Sequence, residues 1–196
     1  MRNRSFAAIA ASAVLTLGAP AWGADDDADF VKAAASGGML EVELGKHAAA
    51  HAADKEVRAF GERMAADHGR ANQELKSVAQ RAGLALPSQM AEEQREMLQE
   101  LSKLRGAELD EAYMDAMVKD HEKDVDAFRA QAEEQKTDVD RWAAKTLPTL
   151  EAHLKLAKSV AERVEGAATT GGGAGNAGGD AGRALDPSVT GVPGRP

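Results

Sequence analysis

The chain has 196 residues, with 24 basic and 32 acidic side chains, no cysteine and a hydrophobic fraction of 43%. Alanine contributes 42 residues and aromatic residues only 4% of the chain, so large core-filling side chains are scarce. The lack of cysteine excludes a disulfide scaffold, a thiolate metal site, a cysteine nucleophile and an N-terminal lipid-modified cysteine. A composition rich in alanine and poor in β-branched residues favours helices over sheet.

The first 23 residues have the pattern of an export signal. Arg2 and Arg4 precede an apolar run over residues 6–18, and Ala21-Trp22-Gly23 then places small residues at the −3 and −1 positions of a cleavage site. The alternative, an uncleaved membrane anchor, is disfavoured because a span needs about 20 apolar residues. Residues 1–23 are therefore predicted to be a signal peptide, which leaves a periplasmic or secreted protein with no transmembrane anchor.

The C-terminal segment, residues 166–196, holds 10 of the 19 glycines and 3 of the 6 prolines. Such a segment buries too little surface to offset its ordering entropy, which predicts a disordered Gly-rich tail. Residues 24–165 remain as one folded domain. Without Arg2 and Arg4, 22 basic and 32 acidic residues give a net charge of −10. With this charge and no basic cluster, nucleic acid is not an expected partner.

Helical periodicity marks five segments, and no alternating strand pattern competes with it. In chain order, the predicted helices cover residues 28–52, 55–82, 88–104, 107–135 and 138–165. An open array of helical repeats is the alternative, but no period of 30 to 45 residues recurs. Four long helices, two short connections and one longer crossover predict an all-α, ferritin-like four-helix bundle, with an extra short helix in the crossover between two helical hairpins.

Capping and helix-breaking residues define these boundaries. Asp54 is the expected N-cap of the second helix and Gly83 its C-terminal stop, while Thr137 and Asp140 resemble a capping box for the last helix. Two interruptions are also expected, because Gly37-Gly38 weakens the first helix and Pro148 removes a backbone hydrogen bond from the last.

Each long helix carries one polar residue on its otherwise apolar stripe. These residues are Glu41, His68, His121 and His153. Counted from the expected hairpin turns at about 1.5 Å per residue, the two members of each hairpin fall within roughly 3 Å of a common level. The spacing therefore allows the four residues to meet in one polar layer inside the bundle, although it does not fix the offset between the two hairpins.

One carboxylate and three imidazoles suit a borderline divalent metal such as copper, zinc or iron(II). Asp67 and Asp120 directly precede His68 and His121, and either could orient a ligand imidazole as an outer carboxylate or bond across helices. The alternative is a hydrogen-bonded layer that only fixes helix packing. Both interpretations stay open at this level.

Other metal and catalytic patterns find little support. Di-iron carboxylate proteins need Glu-x-x-His motifs, and no carboxylate lies three residues before any of the five histidines. His47 and His51 have the spacing of a surface metal clamp, but adventitious binding or plain solvation explains them. Hydrolase, kinase and metalloprotease motifs do not occur in the sequence. The sequence thus favours a non-catalytic protein over an enzyme without deciding between them.

Four segments then appear in a distinctive order. They are Phe30-Val31 through Glu41-Val42-Glu43-Leu44-Gly45, Met64-Ala65-Ala66-Asp67-His68, Tyr113-Met114 with Met117-Val118-Lys119-Asp120-His121, and Leu147-Pro148-Thr149-Leu150 with His153. Together they resemble the exported bacterial family called Domain of Unknown Function 4142. The resemblance implies a ferritin-like bundle in an exported protein, often labelled an outer-membrane protein, and it implies no established reaction.

These observations lead to one functional hypothesis and one alternative. The hypothesis is an exported helical bundle that binds a divalent metal in its core and acts in the cell envelope or in a stress response. The alternative is a non-catalytic structural or interaction protein whose buried Glu/His layer only fixes helix packing.

Overall fold

The computed structural model describes residues 24–171, so the expected signal peptide and residues 172–196 of the expected tail lie outside the described residues. The chain forms five helices: α1 (Ala24–His51), α2 (Lys55–Ala82), α3 (Glu92–Leu101), α4 (Gly106–Ala132) and α5 (Asp138–Gly171). Helix α5 extends beyond the expected domain boundary, so the first six residues of the expected tail are helical. Within the described range there is no β-strand.

The helices pair as two antiparallel hairpins. Helix α1 packs along α2 and α4 along α5, and the hairpins meet through contacts of α2 with α5 and of α1 with α4. The short α3 lies in the crossover and packs against α1 and α4. This is the connectivity of a ferritin-like bundle, and the predicted all-α fold is confirmed. No helix in the described part of the chain is both long and apolar enough to cross a membrane.

The predicted caps are present at the helix ends. The Asp54 carboxylate accepts hydrogen bonds from two amides in the first turn of α2, at 2.6 and 3.3 Å. Gly83 ends that helix in the left-handed conformation, with φ of 71°. Thr137 Oγ1 accepts from the Asp140 amide at 3.1 Å, and Asp140 Oδ2 accepts from the Thr137 amide at 3.0 Å. These reciprocal bonds satisfy amides that the first helical turn cannot pair internally.

One carboxylate that the sequence did not single out ties α4 to the first hairpin. Asp110 is 4% exposed, and its two carboxylate oxygens accept hydrogen bonds from the amides of Ala53 and Asp54, each at 2.9 Å. The turn between α1 and α2 is thereby held against the start of α4. This contact sets the height of the first hairpin relative to the second.

Helices α1 and α2 approach closely where two glycines face each other. A Cβ placed on Gly45 would lie 2.6 Å from the carbonyl oxygen of Gly61, and one placed on Gly61 would lie 2.6 Å from the carbonyl oxygen of Gly45. Both neighbours are backbone atoms, so any side chain here would push the helices apart. Gly45 lies about one helical turn from Glu41, and Gly61 about two turns from His68.

The two expected interruptions leave the helices continuous. Helix α1 runs through Gly37-Gly38 and α5 runs through Pro148. Gly38 has a packing role instead, because a Cβ at this position would collide with the side-chain amide of Asn72 on α2.

The core consists of two apolar clusters. The first contains Leu44, Met64, Met117 and Ala157 with Leu101 of α3, and the second contains Val31, Leu75, Val125 and Leu150, among further residues. On α2, α4 and α5 the polar residue of the stripe falls between the two clusters along the chain, and on α1 Glu41 directly follows Leu40 of the first cluster. Apolar packing therefore flanks the polar layer on both sides along the bundle.

Candidate metal centre

The four polar residues predicted from the stripes come together in the middle of the bundle. The exposed fractions of Glu41, His68, His121 and His153 are 0%, 5%, 0% and 1%. The centroids of the three imidazole rings lie 5.4 to 5.6 Å apart. One ring nitrogen from each histidine lies within 4.8 Å of the corresponding nitrogens of the other two. Each of the four long helices thus contributes one residue to a common polar layer.

Two of the imidazoles are oriented by a hydrogen bond at one ring nitrogen. His121 Nδ1 donates to the carbonyl oxygen of Met117, one turn earlier in α4, at 2.9 Å. His153 Nε2 donates to Asp67 Oδ2 across the helix interface at 2.8 Å. Since a carbonyl and a carboxylate can only accept, the proton of each neutral ring lies on the bonded nitrogen. The opposite nitrogen, Nε2 of His121 and Nδ1 of His153, then carries a lone pair.

The third imidazole is paired with the buried carboxyl group. Glu41 Oε2 lies 2.7 Å from His68 Nδ1, and Glu41 Oε1 lies 3.4 Å from His121 Nε2. Both are ion-pair distances without the angles of a hydrogen bond. Burial raises the pKa of Glu41 to about 8, although the neighbouring His121 works in the opposite direction. At neutral pH the carboxyl group is therefore largely protonated.

Three ring nitrogens remain without a hydrogen-bond partner among the described residues. They are His68 Nε2, His121 Nε2 and His153 Nδ1, and all three are buried. Leaving a buried polar atom unpaired costs about 1–3 kcal/mol. The most unusual feature of the layer is that one nitrogen of each imidazole is engaged while the other is buried and unpaired.

Burial also keeps the imidazoles neutral. It lowers the pKa of His68 to about 4 against the opposing effect of Asp120 and Asp67, and it lowers the pKa of His153 to about 4 against the hydrogen bond to Asp67. Burial lowers the pKa of His121 as well, against the opposing charge of Glu41. Neutral rings at pH 7 present the lone pairs that a metal ion requires.

The two aspartates predicted as outer carboxylates differ in the structure. Asp67 bonds to His153 rather than to its sequence neighbour, and it also contacts Arg63 and Arg70. Burial raises the pKa of Asp67, but these hydrogen bonds outweigh burial and the net shift is downward. Asp67 is therefore an ionised acceptor positioned on an imidazole.

Asp120 makes no hydrogen bond to any of the three imidazoles. Its Oδ2 is buried and has no partner among the described residues. Burial raises its pKa, and the charges of Lys123 and His68 oppose that shift. Asp120 therefore influences the layer through charge, without orienting a ring.

His47 and His51 stay apart from the layer, near the end of α1. Their ring centroids are 4.7 Å apart, and His47 Nε2 lies 3.0 Å from an Arg105 guanidinium nitrogen and 3.2 Å from the carbonyl oxygen of Leu104. The positive charge of Arg105 beside the His47 ring disfavours binding of a metal ion there. This agrees with the interpretation that His47 and His51 do not form a specific metal site.

Two polar groups close to the layer were not predicted from the sequence. Asp124 is half-buried on α4, and burial raises its pKa well above the usual value, with Glu41 and Asp120 adding to the shift. Its position three residues after His121 is the signal that identifies it, because this spacing places both side chains on one helix face. The Tyr113 hydroxyl is buried without a partner among the described residues, and its pKa is raised by burial and by Glu41.

Comparison with known protein families shows to which family the chain belongs. Residues 12–160 match the family described as Domain of unknown function (DUF4142). The chain belongs to the DUF4142 family. The resemblance carried by the four sequence segments is thereby confirmed, and the match covers the whole candidate centre of this DUF4142 protein. No curated protein matches the chain.

Among solved structures, the fold is similar to the crystal structure of a DUF305 fragment from Deinococcus radiodurans. The two share 14% sequence identity with a TM-score of 0.61, and the alignment covers 70% of this chain and 95% of that chain. At this identity the similarity shows a common helical fold alone.

Proposed function

We propose that this DUF4142 protein binds one divalent transition metal ion, copper, zinc or iron(II), in the core of its bundle. The ligands are the imidazoles of His68, His121 and His153, with Glu41 as the associated carboxylate. The observation that carries the proposal is a group of three neighbouring histidines, each with one buried, unpaired ring nitrogen and with ring nitrogens within 4.8 Å of one another. Metal-ligating histidines commonly donate their other ring nitrogen to a carbonyl or carboxylate, as His121 and His153 do.

The layer has to contract to hold a single ion. Imidazole nitrogens bind divalent metals at about 2.0–2.1 Å, so three equally spaced ligands of one ion lie no more than about 3.6 Å apart. One ring nitrogen of each histidine lies within 4.8 Å of those of the other two, so binding draws the nitrogens together by up to about 1.2 Å. Side-chain rotations within the rotamer wells supply such a shift.

The charges of the layer also suit a divalent cation. Neutral imidazoles supply lone pairs without releasing protons, and the Glu41 carboxyl, which burial keeps protonated, becomes ionised beside the ion. A bound cation thus gives the buried carboxylate a counter-charge that the metal-free protein supplies only weakly. Asp67 contributes a second negative charge through its hydrogen bond to His153.

We further propose that the protein works outside the cytoplasm, in the periplasm or as a secreted protein with a role in the cell envelope or in a stress response. The support is the signal-like pattern of residues 1–23 and the lack of a spanning helix among the described residues. A periplasmic location brings the domain into contact with metal ions that enter the envelope.

A second candidate function is purely structural. Glu41 links α1 to α2 and α4, and Asp67 links α2 to α5, so these contacts can hold the bundle in register without an ion. On this account the metal leaves the melting temperature unchanged. Replacement of His121 by leucine would then keep or raise the stability, since buried ionisable groups often cost more than apolar ones.

One experiment separates the two candidates. Purified, metal-free protein is titrated calorimetrically with copper(II), zinc(II) and, without oxygen, iron(II), and the variants His68→Ala and His121→Ala are compared with His51→Ala as the matched control. The metal proposal predicts binding of one ion per chain that both layer variants lose and the control retains. Absence of stoichiometric binding, or equal binding by all the variants, overturns it.

A further inference from the structure

We infer that the bound ion keeps one coordination position for a small exogenous ligand of two or three atoms, of the class of hydroxide, azide or peroxide. The ligand would lie in the cavity that adjoins the histidine layer. This inference rests on the proposed metal site and names what the site binds in addition to the ion.

The first step concerns the cavity. A partly open cavity of about 30 Å³ adjoins the layer, and Glu41, His68 and His153 form part of its wall. Three of the four layer residues therefore line the same space, whereas His121 does not, and an ion held by the layer lies beside it. Three further pockets of the described chain have none of the four residues in their walls.

The second step concerns Glu41. Its Oε2 lies 2.7 Å from His68 Nδ1, the nitrogen opposite the unpaired His68 Nε2. With this carboxyl group on Nδ1, all three rings have a polar partner on one nitrogen: Met117 for His121, Asp67 for His153 and Glu41 for His68. Glu41 Oε2 thus contacts the nitrogen of His68 opposite the unpaired one, at an ion-pair distance without hydrogen-bond angles, and the three imidazoles are the protein's ligands to the ion.

Three protein ligands and an adjoining cavity define an open metal site. Structural zinc sites are closed by four protein ligands, whereas sites with three histidines complete their coordination with water or another small ligand. The layer described here has the donor number of the second class. An ion on the three ring nitrogens needs at least one further donor, and the cavity is where that donor fits.

The third step concerns size and polarity. A water-sized sphere needs about 10–15 Å³ by this measure, so a cavity of 30 Å³ accepts roughly two or three such atoms. Ala71, Leu150 and Phe128 supply apolar wall, and Thr149 and Asn72 supply polar groups. A linear triatomic anion fits this space, whereas a five-membered ring exceeds it.

The test uses copper(II)-loaded protein titrated with sodium azide and followed by optical absorption and electron paramagnetic resonance. The expected result is a saturable azide-to-copper charge-transfer band and a changed resonance spectrum, with one azide per copper. Imidazole, which is too large for the cavity, should leave both spectra unchanged at the concentration that saturates azide.

Two alanines of α2 provide a matched pair of variants. Ala71→Leu should weaken azide binding by about tenfold or more, because the leucine side chain would occupy the cavity space that azide needs. Ala66→Leu adds the same carbons at an exposed position of the same helix and should leave azide binding unchanged. Both variants should retain copper binding.

The outcomes separate this inference from the proposed function. If wild-type protein takes up none of copper(II), zinc(II) and iron(II), the metal proposal and this inference both fail. If copper binds at one per chain but azide changes neither spectrum, or imidazole binds as tightly as azide, the open position alone is overturned. Equal azide affinity in the Ala71 and Ala66 variants would likewise place the azide outside this cavity.

Discussion

The contact between α1 and α2 leads to a prediction that compares two glycines in one helix. In a helix interior, replacing glycine by alanine gains about 1 kcal/mol from backbone propensity. A Cβ on Gly37 meets no atom within 4 Å, so Gly37→Ala should raise the free energy of unfolding by about 0.5–1 kcal/mol. A Cβ on Gly45 would lie 2.6 Å from the Gly61 oxygen and 2.8 Å from the Ala65 nitrogen.

The expected cost of Gly45→Ala follows from those distances. Overpacking typically costs about 1–3 kcal/mol, and here the obstructing atoms belong to the backbone of α2 and cannot rotate away. Because the backbone cannot move aside, we expect a cost in the upper part of that range, about 2–3 kcal/mol, and subtraction of the propensity gain of about 1 kcal/mol leaves a loss of about 1–2 kcal/mol. Glu41 lies about one turn away on the same helix, so the variant should also bind copper more weakly.

Urea unfolding of the metal-free protein, followed by circular dichroism, measures both variants under identical conditions. The expected result is opposite signs for Gly37→Ala and Gly45→Ala. If both variants are stabilised equally, the close α1–α2 contact is absent. That contact then does not fix the height of Glu41 relative to His68.

Four further predictions concern the layer and one helix cap. At about 100 times the dissociation constant, free copper(II) should raise the free energy of unfolding by about 2.7 kcal/mol in wild-type protein and by nothing in His68→Ala, measured by urea denaturation. Asp67→Asn should weaken copper binding by about 10- to 100-fold in calorimetry, because the amide accepts more weakly from His153. The metal-free protein should lose stability as pH falls from 6.5 toward 4, because the histidines bind protons in the unfolded chain while buried His68 and His153 do not. It should also lose stability as pH rises from 4.5 toward 8, because Glu41 releases its proton in the unfolded chain and retains it in the folded protein. Glu41→Gln should reduce the alkaline loss, of which Asp120 and Asp124 retain a share because their pKa values are also raised, and should keep the acidic loss. Thr137→Ala should cost about 1 kcal/mol through loss of the α5 cap.

Each of these has a contradicting outcome. Copper stabilisation that survives in His68→Ala would place the ion elsewhere, and an unchanged affinity in Asp67→Asn would remove its orienting role. An alkaline stability loss of unchanged size in Glu41→Gln would show that Glu41 does not contribute to it. If Thr137→Ala unfolds at the same urea concentration as wild type, the capping box does not stabilise α5.

Much of the fold was predictable because local chemistry sets it. Asp54, Gly83 and Thr137 mark helix ends through hydrogen bonds made within a few residues of the chain, and such bonds follow from residue type and spacing. The layer was predictable for a related reason: a constant rise per residue fixes height along a helix once the turn is located. Those two rules bring Glu41 level with His68 and His121 level with His153, whereas the height of one hairpin against the other depends on contacts such as those of Asp110.

The remaining features depend on how helices lie side by side, which spacing within one helix does not determine. Asp67 and Asp120 both precede a histidine, yet only Asp67 faces an imidazole, and that imidazole is His153 on another helix. Gly38 looked like a weak point, but its small size is needed for Asn72 of the neighbouring helix. Asp110 bonds to a turn more than fifty residues away.

The most direct test of the metal proposal is a crystal structure of the copper-loaded protein with an anomalous difference map recorded at the copper absorption edge. The account predicts one peak in the middle of the bundle, about 2.0–2.1 Å from His68 Nε2, His121 Nε2 and His153 Nδ1. A peak at His47 and His51 with none in the core, or no peak despite excess copper, would contradict it.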